Sequence, residues 1–362
     1  MELSKNDTKI LKGIGILLMV LLHLFARKDV NGLYETFPLI NDVPLVYYIG
    51  LIGDACRPIY LFVTGYAFFI MINNHKGSVI GKNIKRILKL FVNYWIVFLI
   101  FVPLGFLIGR EQIFTSDLTT FSLNFFGLSN SYNGAWWFLQ VYIIFVLVSP
   151  ILIKIINKYS PFVLFLISGV IYFLAYVQRF KSIIDFGDHP LTVEIIRIIV
   201  LLGTSQFSFI VGSIFAKEKI YTKLYLRFHS YKFKNTLCLL GLLSIIIFHG
   251  LIESAIIAPI NGIGFICLYF MMDKNVLLHK ILNFISDHST NIWLTHMFFY
   301  STVFQELTFA PKYPLFIFIW LIILCVFSSY IIKALAKPIY QLIDKKNTYK
   351  NNDMEVGKLY KI

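Results

Sequence analysis

Charge is scarce in this 362-residue chain. Asp, Glu, Lys and Arg make up 14% of it, where a soluble globular domain carries about 25%. Acidic residues are the scarcest, 19 against 33 basic ones, for a formal net charge of +14. With 58% of residues hydrophobic and a mean hydropathy of +0.74, a water-soluble globule is excluded and a polytopic membrane protein is expected. The basic excess does not call for nucleic acid, because the lysines and arginines of a membrane protein are first expected in its cytoplasmic loops. Cysteine is sparse too. Cys56, Cys238, Cys267 and Cys325 are scattered through apolar surroundings without metal-ligand spacing, so neither a disulfide framework nor a zinc site is implied. No internal repeat, long low-complexity segment or second domain is visible. No small-residue cleavage site follows the first apolar run, so Ile10 to Ala26 is expected to be a retained helix rather than a signal peptide.

What the chain has in abundance is apolar runs of spanning length, and their recurrence predicts an all-α membrane bundle of about ten transmembrane helices. The expected spans are Ile10 to Ala26, Leu45 to Ile72, Leu90 to Ile108, Trp136 to Ile156, Pro161 to Val177, Leu191 to Ala216, Thr236 to Leu251, Ser254 to Met272, Ile281 to Thr302 and Pro314 to Lys333. Residues 1–336 form the membrane domain and 337–362 a short polar tail, expected to be mobile. If the N-terminus is cytoplasmic, one side collects Lys5, Lys9, Lys12, the segment from Lys76 to Lys89, Lys154, Lys158, the group from Lys217 to Lys234, Lys274, Lys280 and the tail. The other side keeps only Arg27, Lys28, Arg110, Arg179, Lys181 and Lys312. That asymmetry predicts both termini in the cytoplasm.

The first span carries Lys12 at its inner edge and His23 after ten intervening residues. On a helix this is roughly 16 Å, half the hydrocarbon thickness of a bilayer, so His23 is expected at mid-membrane depth. Ionisable groups there mark a pathway or a catalytic centre by default, although a neutral imidazole bonded to a neighbouring helix is the plain alternative. His296 is a second such histidine, in NFISDHSTNIWLTHMFFY with Asn291 and Thr295. His249 is expected at a helix end, at the interface. Arg57 heads the second span, with Asp54 three residues before it; the two can neutralise each other, or Pro58 can kink the helix and turn them toward a cavity. Glu194 and Arg197 share one helical face and read as a structural pair.

Lys82, Lys85, Arg86 and Lys89 fall at helical spacing before the third span. Such a cluster neutralises phosphates, of lipid headgroups or of a nucleotide-bearing donor, or simply sets topology. The loop SNSYNGAWWFLQVY places Tyr132, Trp136 and Trp137 at a membrane edge, where they form an aromatic belt or take the faces of sugars.

Four stretches together resemble the acyltransferase 3 family, the integral-membrane acyltransferases that O-acetylate bacterial cell-surface glycans. Lys12, ten residues and His23 are similar to its basic-residue, ten-spacer, histidine signature. RPIYLFVTGYAFF, with Thr64, Gly65 and Tyr66, looks like its aromatic run ending in Ser/Thr-Gly-aromatic. AWWFLQVYIIFVLVSPIL and ISDHSTNIWLTHMF resemble its WFL segment and its late aromatic-leucine-x-histidine. The anchors cover nearly the whole chain in family order. The loop before the third helix departs from the family's arginine-x-x-arginine element, offering Lys82 and Lys85, or Arg86. The chain ends soon after its last predicted helix, without the extracellular esterase-like domain of some relatives, so direct transfer at the membrane is expected.

The expected chemistry moves an acetyl or similar acyl group from cytoplasmic acetyl-coenzyme A to a hydroxyl of a polysaccharide or its lipid-linked precursor, in a bacterial plasma membrane. His23 is the general base, since an imidazole titrates near neutrality. Arg57 stabilises the oxyanion or the donor phosphates, while Lys12, Lys82, Lys85 and Arg86 hold coenzyme A. His296 or Asp54 orients the base, and no metal is required. Acyl-coenzyme A, a glycan acceptor, the bilayer and glycan-synthesis machinery are the expected partners. Two other classes remain open: a polysaccharide transporter or flippase, and a non-catalytic partner of a synthesis complex.

Overall fold

The computed structural model describes residues 2–74, 78–110, 112–114, 117–185, 187 and 190–359, without the side chains of 190, 191 and 345–359. Lys76 of the basic segment lies outside the described residues. Among the described residues fourteen α-helices follow one another: α1 Lys5–Phe25, α2 Leu45–Leu51, α3 Cys56–Asn73, α4 Val79–Leu107, α5 Leu118–Phe125, α6 Trp137–Lys158, α7 Pro161–Lys181 and α8 Pro190–Glu218. After them come α9 Ile220–Phe228, α10 Lys234–Leu251, α11 Ala258–Met271, α12 Val276–Met297, α13 Gln305–Phe309 and α14 Pro314–Leu359. The strands described are a two-residue antiparallel pair, β1 Leu39–Ile40 and β2 Val43–Pro44. The protein is an all-α membrane bundle.

Among the described residues, eight helical segments are long and apolar enough to cross a bilayer: α1, the α2–α3 unit, α4, α6, α7, α8, α10 and α14. The other two expected spans are helices of different character. α11 with its preceding 3-10 turn is short, and α12 is polar because it turns Ser286, His288, Ser289, Asn291, Thr295 and His296 into the protein rather than toward lipid. Its course is fixed by α1. Lys9 Nζ reaches Asp287 at 2.8 Å, Asn283 bonds to Asn6 at 2.9 Å, and far along both helices His23 meets His296. α1 and α12 therefore run parallel over their whole length, as the odd number of crossings between them, by the α2–α3 unit, α4, α6, α7, α8, α10 and α11, requires.

Glycines set how closely the helices approach. A Cβ on Gly13 would lie 2.2 Å from the carbonyl oxygen of Leu282, one on Gly65 2.0 Å from that of Phe209, and one on Gly212 2.1 Å from that of Phe62. Backbone-to-backbone contact of this kind is the usual way apolar helices associate where lipid is as apolar as leucine. Gly53 does the same work for the site, its Cα lying so near α1 that a Cβ would meet the Leu18 carbonyl at 2.4 Å.

At the end of the bundle that holds the N-terminus, α1 starts with Ser4 as N-cap, its hydroxyl accepting from Asp7 N at 3.1 Å while the Asp7 carboxylate accepts from Ser4 N at 2.9 Å. This reciprocal pair satisfies two otherwise orphaned donors. Lys274, just past α11, reaches Asp7 at 2.7 Å. Asp344 of α14 meets Lys85 and Lys89 at the same end. The division placed at residue 337 is thus no break: α14 continues through Pro338, and Tyr340 donates to Asn93 Oδ1 at 2.7 Å.

Candidate active site

Two histidines meet at the end of the bundle away from the N-terminus. His23 lies in the last turn of α1 and His296 in the last turn of α12. α1 starts at Lys5, so His23 sits near the far end of its helix rather than at its middle. Nδ1 of His23 and Nε2 of His296 are 2.8 Å apart, and the rings are nearly coplanar, 10° between planes with centroids at 4.9 Å. That is the edge-to-edge geometry of a hydrogen bond made in the ring plane.

The hydrogen-bond network assigns the tautomers. Nδ1 of His296 faces the carbonyl oxygens of Trp293 at 2.8 Å and Ile292 at 3.2 Å. Carbonyls only accept, so Nδ1 of His296 carries a proton and Nε2 of the neutral ring is a lone pair. Nδ1 of His23 must then donate to it. The consequence is that Nε2 of neutral His23 is unprotonated and open to receive a proton. His296 is fully buried, whereas His23 is only half-buried.

Local structure around the pair is irregular for identifiable reasons. After His296 the chain makes one wide π turn, Phe298–Thr302, that brings the Tyr300 ring to 6.2 Å from His23 and 6.0 Å from His296. Such turns are frequent at functional sites. Arg27 donates to the His23 carbonyl at 3.1 Å and lies 5.8 Å from the Tyr300 ring. On the other side, the proline ring at 58 cannot follow an α-helical carbonyl four residues earlier. The chain tightens into a 3-10 turn at Ile52–Ala55 before α3 resumes.

That turn carries Asp54, and here the structure corrects two expectations. Asp54 accepts from His249 at 3.2 Å and does not pair with Arg57 or hydrogen-bond to His23, although it lies within electrostatic range of His23. His249 lies in the last turn of α10, the helix end where it was expected, and is completely buried there. Its other nitrogen faces the Ile252 carbonyl at 3.2 Å. Above this pair Glu253 accepts from Tyr47 at 2.7 Å and meets Lys28 at 2.6 Å. The Lys28 ammonium and the Tyr47 hydroxyl hold the Glu253 carboxyl below its usual range.

Lys12 lies two-thirds of the way back toward the N-terminal end of α1. It is exposed although its neighbours Leu11 and Gly13 are sealed. The hydroxyl of Tyr60 donates to its carbonyl at 3.0 Å, and Arg86, half-buried near the start of α4, is close enough to repel its ammonium. Arg86 also lies 4.7 Å from the Phe68 ring. Lys85 is instead engaged with Asp344, and Lys82 is exposed on the same turn.

Of the aromatic residues expected to meet a sugar, two are withdrawn. Tyr132 and Trp136 are each 1% exposed, and Trp136 Nε1 donates to the Leu294 carbonyl at 3.2 Å. They are packing residues that fix α6 against the His296 end of α12. Trp137 is different. Its ring lies 6.0 Å from the Arg57 guanidinium and 5.7 Å from that of Arg179, at the edge of a cavity between α6, α7 and α8. Glu194 and Arg197 do pair, at 2.5 and 2.7 Å, as their spacing predicted.

The family model described as an acyltransferase domain, that of acyltransferase 3, matches residues 7–334. The chain belongs to the acyltransferase 3 family. No curated protein and no solved structure matches it. It is thus a multi-pass membrane acyltransferase, and the match spans both histidine-bearing helices, α1 and α12. Sequence reasoning missed Tyr300, Tyr60 and the Asp54 to His249 bond. The only advance signal for the last was the unusual placement of a histidine in the apolar run LSIIIFHGL.

Proposed function

We propose that this acyltransferase moves an acetyl or other small acyl group from acyl-coenzyme A to a hydroxyl of a polysaccharide or its lipid-linked precursor, with His23 as general base. The observation that supports this reading is the directional hydrogen-bond chain from the Trp293 carbonyl through His296 to a half-buried His23, which leaves His23 Nε2 as a lone pair. Nε2 takes the proton of the sugar hydroxyl as its oxygen attacks the thioester carbonyl carbon. The carbon–sulfur bond breaks, the sulfur leaves, and the imidazolium returns the proton to it. The chain of bonds behind His23 stabilises the cation in between, because the Nδ1 proton bonds more strongly to His296 once the ring is charged.

The basic end of the bundle, with Lys12, Lys82, Lys85 and Arg86, is the side from which the phosphates of the donor enter, and in this reading it faces the cytoplasm of a bacterial cell. Lys85 reaches the donor by exchanging Asp344, an exposed ion pair that costs about 0–1 kcal/mol to open. Arg57 has no hydrogen-bonding carboxylate among the described residues and supplies positive charge to the oxyanion.

The deciding experiment compares wild type and His23→Ala in purified form, following transfer of labelled acetyl to a glycan acceptor. The variant is expected to retain normal insertion and accumulation and to lose about 10²–10⁴-fold in rate, the span typical of a general base. Full activity in His23→Ala overturns the assignment of the base. Glycan movement without acetylation by the wild type would favour the transporter reading.

A further inference from the structure

The cavity between α6, α7 and α8 has no part in the proton chemistry above, yet its chemistry is specific. It encloses about 340 Å³, within the range of about 300–1,000 Å³ typical of small-molecule sites. Two guanidiniums line it. Arg197 is already held: its Nε and one Nη bond to Glu194, and that Nη also donates to Gln140 Oε1 at 2.8 Å. Glu194 offsets the Arg197 charge, and among the described residues the other amino group keeps its donors unspent. Arg179 is not held by any acceptor among the described residues. Its guanidinium lies over two rings, Trp137 at 5.7 Å and Phe180 at 5.3 Å.

A third guanidinium, that of Arg57, lies on the same Trp137 ring and repels Arg179. Against these three positive charges stand Glu194, taken by Arg197, and Asp54, taken by His249. The cluster keeps an excess of positive charge with donors unspent. The rest of the lining joins apolar Val193 and Ile196 to polar Asn130 and Ser182, a mixture that suits the CH faces and hydroxyls of a sugar ring.

Position completes the case. Trp137 begins α6, Arg179 lies in the last turn of α7, and Arg197 lies in the early turns of α8, so the cavity opens at the same end of the bundle as His23. Asp54 lies within electrostatic range of both Arg179 and His23. Phe138, next to Trp137, packs on Tyr60 and on Trp293, whose carbonyl anchors His296.

We infer that this cavity, with Arg179 and Arg197 as its charged contacts and Trp137 as its wall, binds an anionic sugar residue of the acceptor, carrying a carboxylate or a phosphate. The inference rests on the acyltransferase reading for the word acceptor, but the binding itself requires no turnover.

The test is isothermal titration of the full-length protein in detergent with three probes: a glucuronosyl disaccharide, its neutral glucosyl counterpart and a short oligo(glycerol phosphate). At low salt at least one anionic probe is expected to bind about tenfold or more tighter than the neutral one, the scale of one charge-assisted hydrogen bond. Which anionic probe wins separates carboxylate from phosphate. Arg179→Gln is expected to cut the preference several-fold and Arg179→Lys to keep more of it, with added salt weakening binding less in Arg179→Gln than in wild type, since Arg197 and Arg57 keep their charge. Equal binding of neutral and anionic probes overturns the proposal, as does an unchanged preference in Arg179→Gln. Displacement of the anionic probe by coenzyme A also overturns it, since the cavity would then be a donor site. Because no catalysis is measured, retained transfer in His23→Ala would sink the catalytic reading while leaving this site standing.

Discussion

Replacing His296 tests the hydrogen-bond chain more sharply than replacing His23, because His296 touches no substrate in this reading. In His296→Leu the volume is roughly kept in a position that is fully buried, but Nδ1–H of His23 loses its acceptor at 2.8 Å. In the ground state that bond joins two neutral rings and is worth about 0.5–1.5 kcal/mol. In the transition state His23 carries a developing positive charge, and a hydrogen bond to a charged group is worth about 1.5–3 kcal/mol. If the charged-state bond is lost whole, the rate falls by about 10- to 150-fold. If the ground-state loss offsets part of it, the fall is toward the lower end. KM for the acyl donor is expected to stay unchanged, since the donor phosphates lie at the other end of the bundle. His296→Gln, whose side-chain oxygen can accept from His23, is expected to recover part of the lost rate. The assay is steady-state acetyl transfer by purified variants, with melting temperature measured alongside. A wild-type kcat in His296→Leu refutes the chain of bonds. Equal losses in the leucine and glutamine variants show that His296 acts only by filling space.

Two further outcomes follow from the packing and the electrostatics. Gly13→Ala puts a methyl 2.2 Å from the Leu282 carbonyl, and because the obstacle is backbone it is expected to cost about 1–3 kcal/mol or more and to part α1 from α12, lowering both melting temperature and activity. Gly81→Ala, whose Cβ would meet nothing nearer than 4.0 Å, is the matched control, and equal melting temperatures in the two would refute the close contact. Glu253, whose carboxyl is held below its usual pKa by Lys28 and Tyr47, stabilises the fold fully above the ordinary glutamate pKa and loses that contribution as pH falls through its lowered value. Glu253→Gln is therefore expected to lower stability by up to about 1 kcal/mol at neutral pH, the scale of a partly exposed ion pair, with the gap closing in acid. A gap that grows on acidification would contradict the sign.

The sequence by itself determined the solvent and the architecture. Scarce charge and ten apolar runs leave a membrane bundle as the only economical fold, because every backbone polar group in lipid must be satisfied within a helix. It also exposed His23 and His296, since ionisable groups inside apolar runs stand out without any knowledge of their neighbours. The i, i+3 pairing of Glu194 with Arg197 was equally legible, being a property of one helix. What only the tertiary structure decided is everything that depends on two helices meeting. Asp54 and Arg57, three residues apart, were natural partners by the same local rule. The 3-10 turn before Pro58 sends Asp54 to His249, across 195 positions of sequence, and leaves Arg57 to Trp137. Trp136 and Trp137 are adjacent and chemically identical, yet one is sealed against Leu294 and the other edges a cavity, because successive residues on a helix point about 100° apart. The place of His23 along its helix was decided in the same way. His23 is ten residues beyond Lys12 in either view, but the helix begins at Lys5, and where a helix begins relative to its neighbours is fixed by the contacts of Asp7, Lys9 and Gly13 with elements far along the chain.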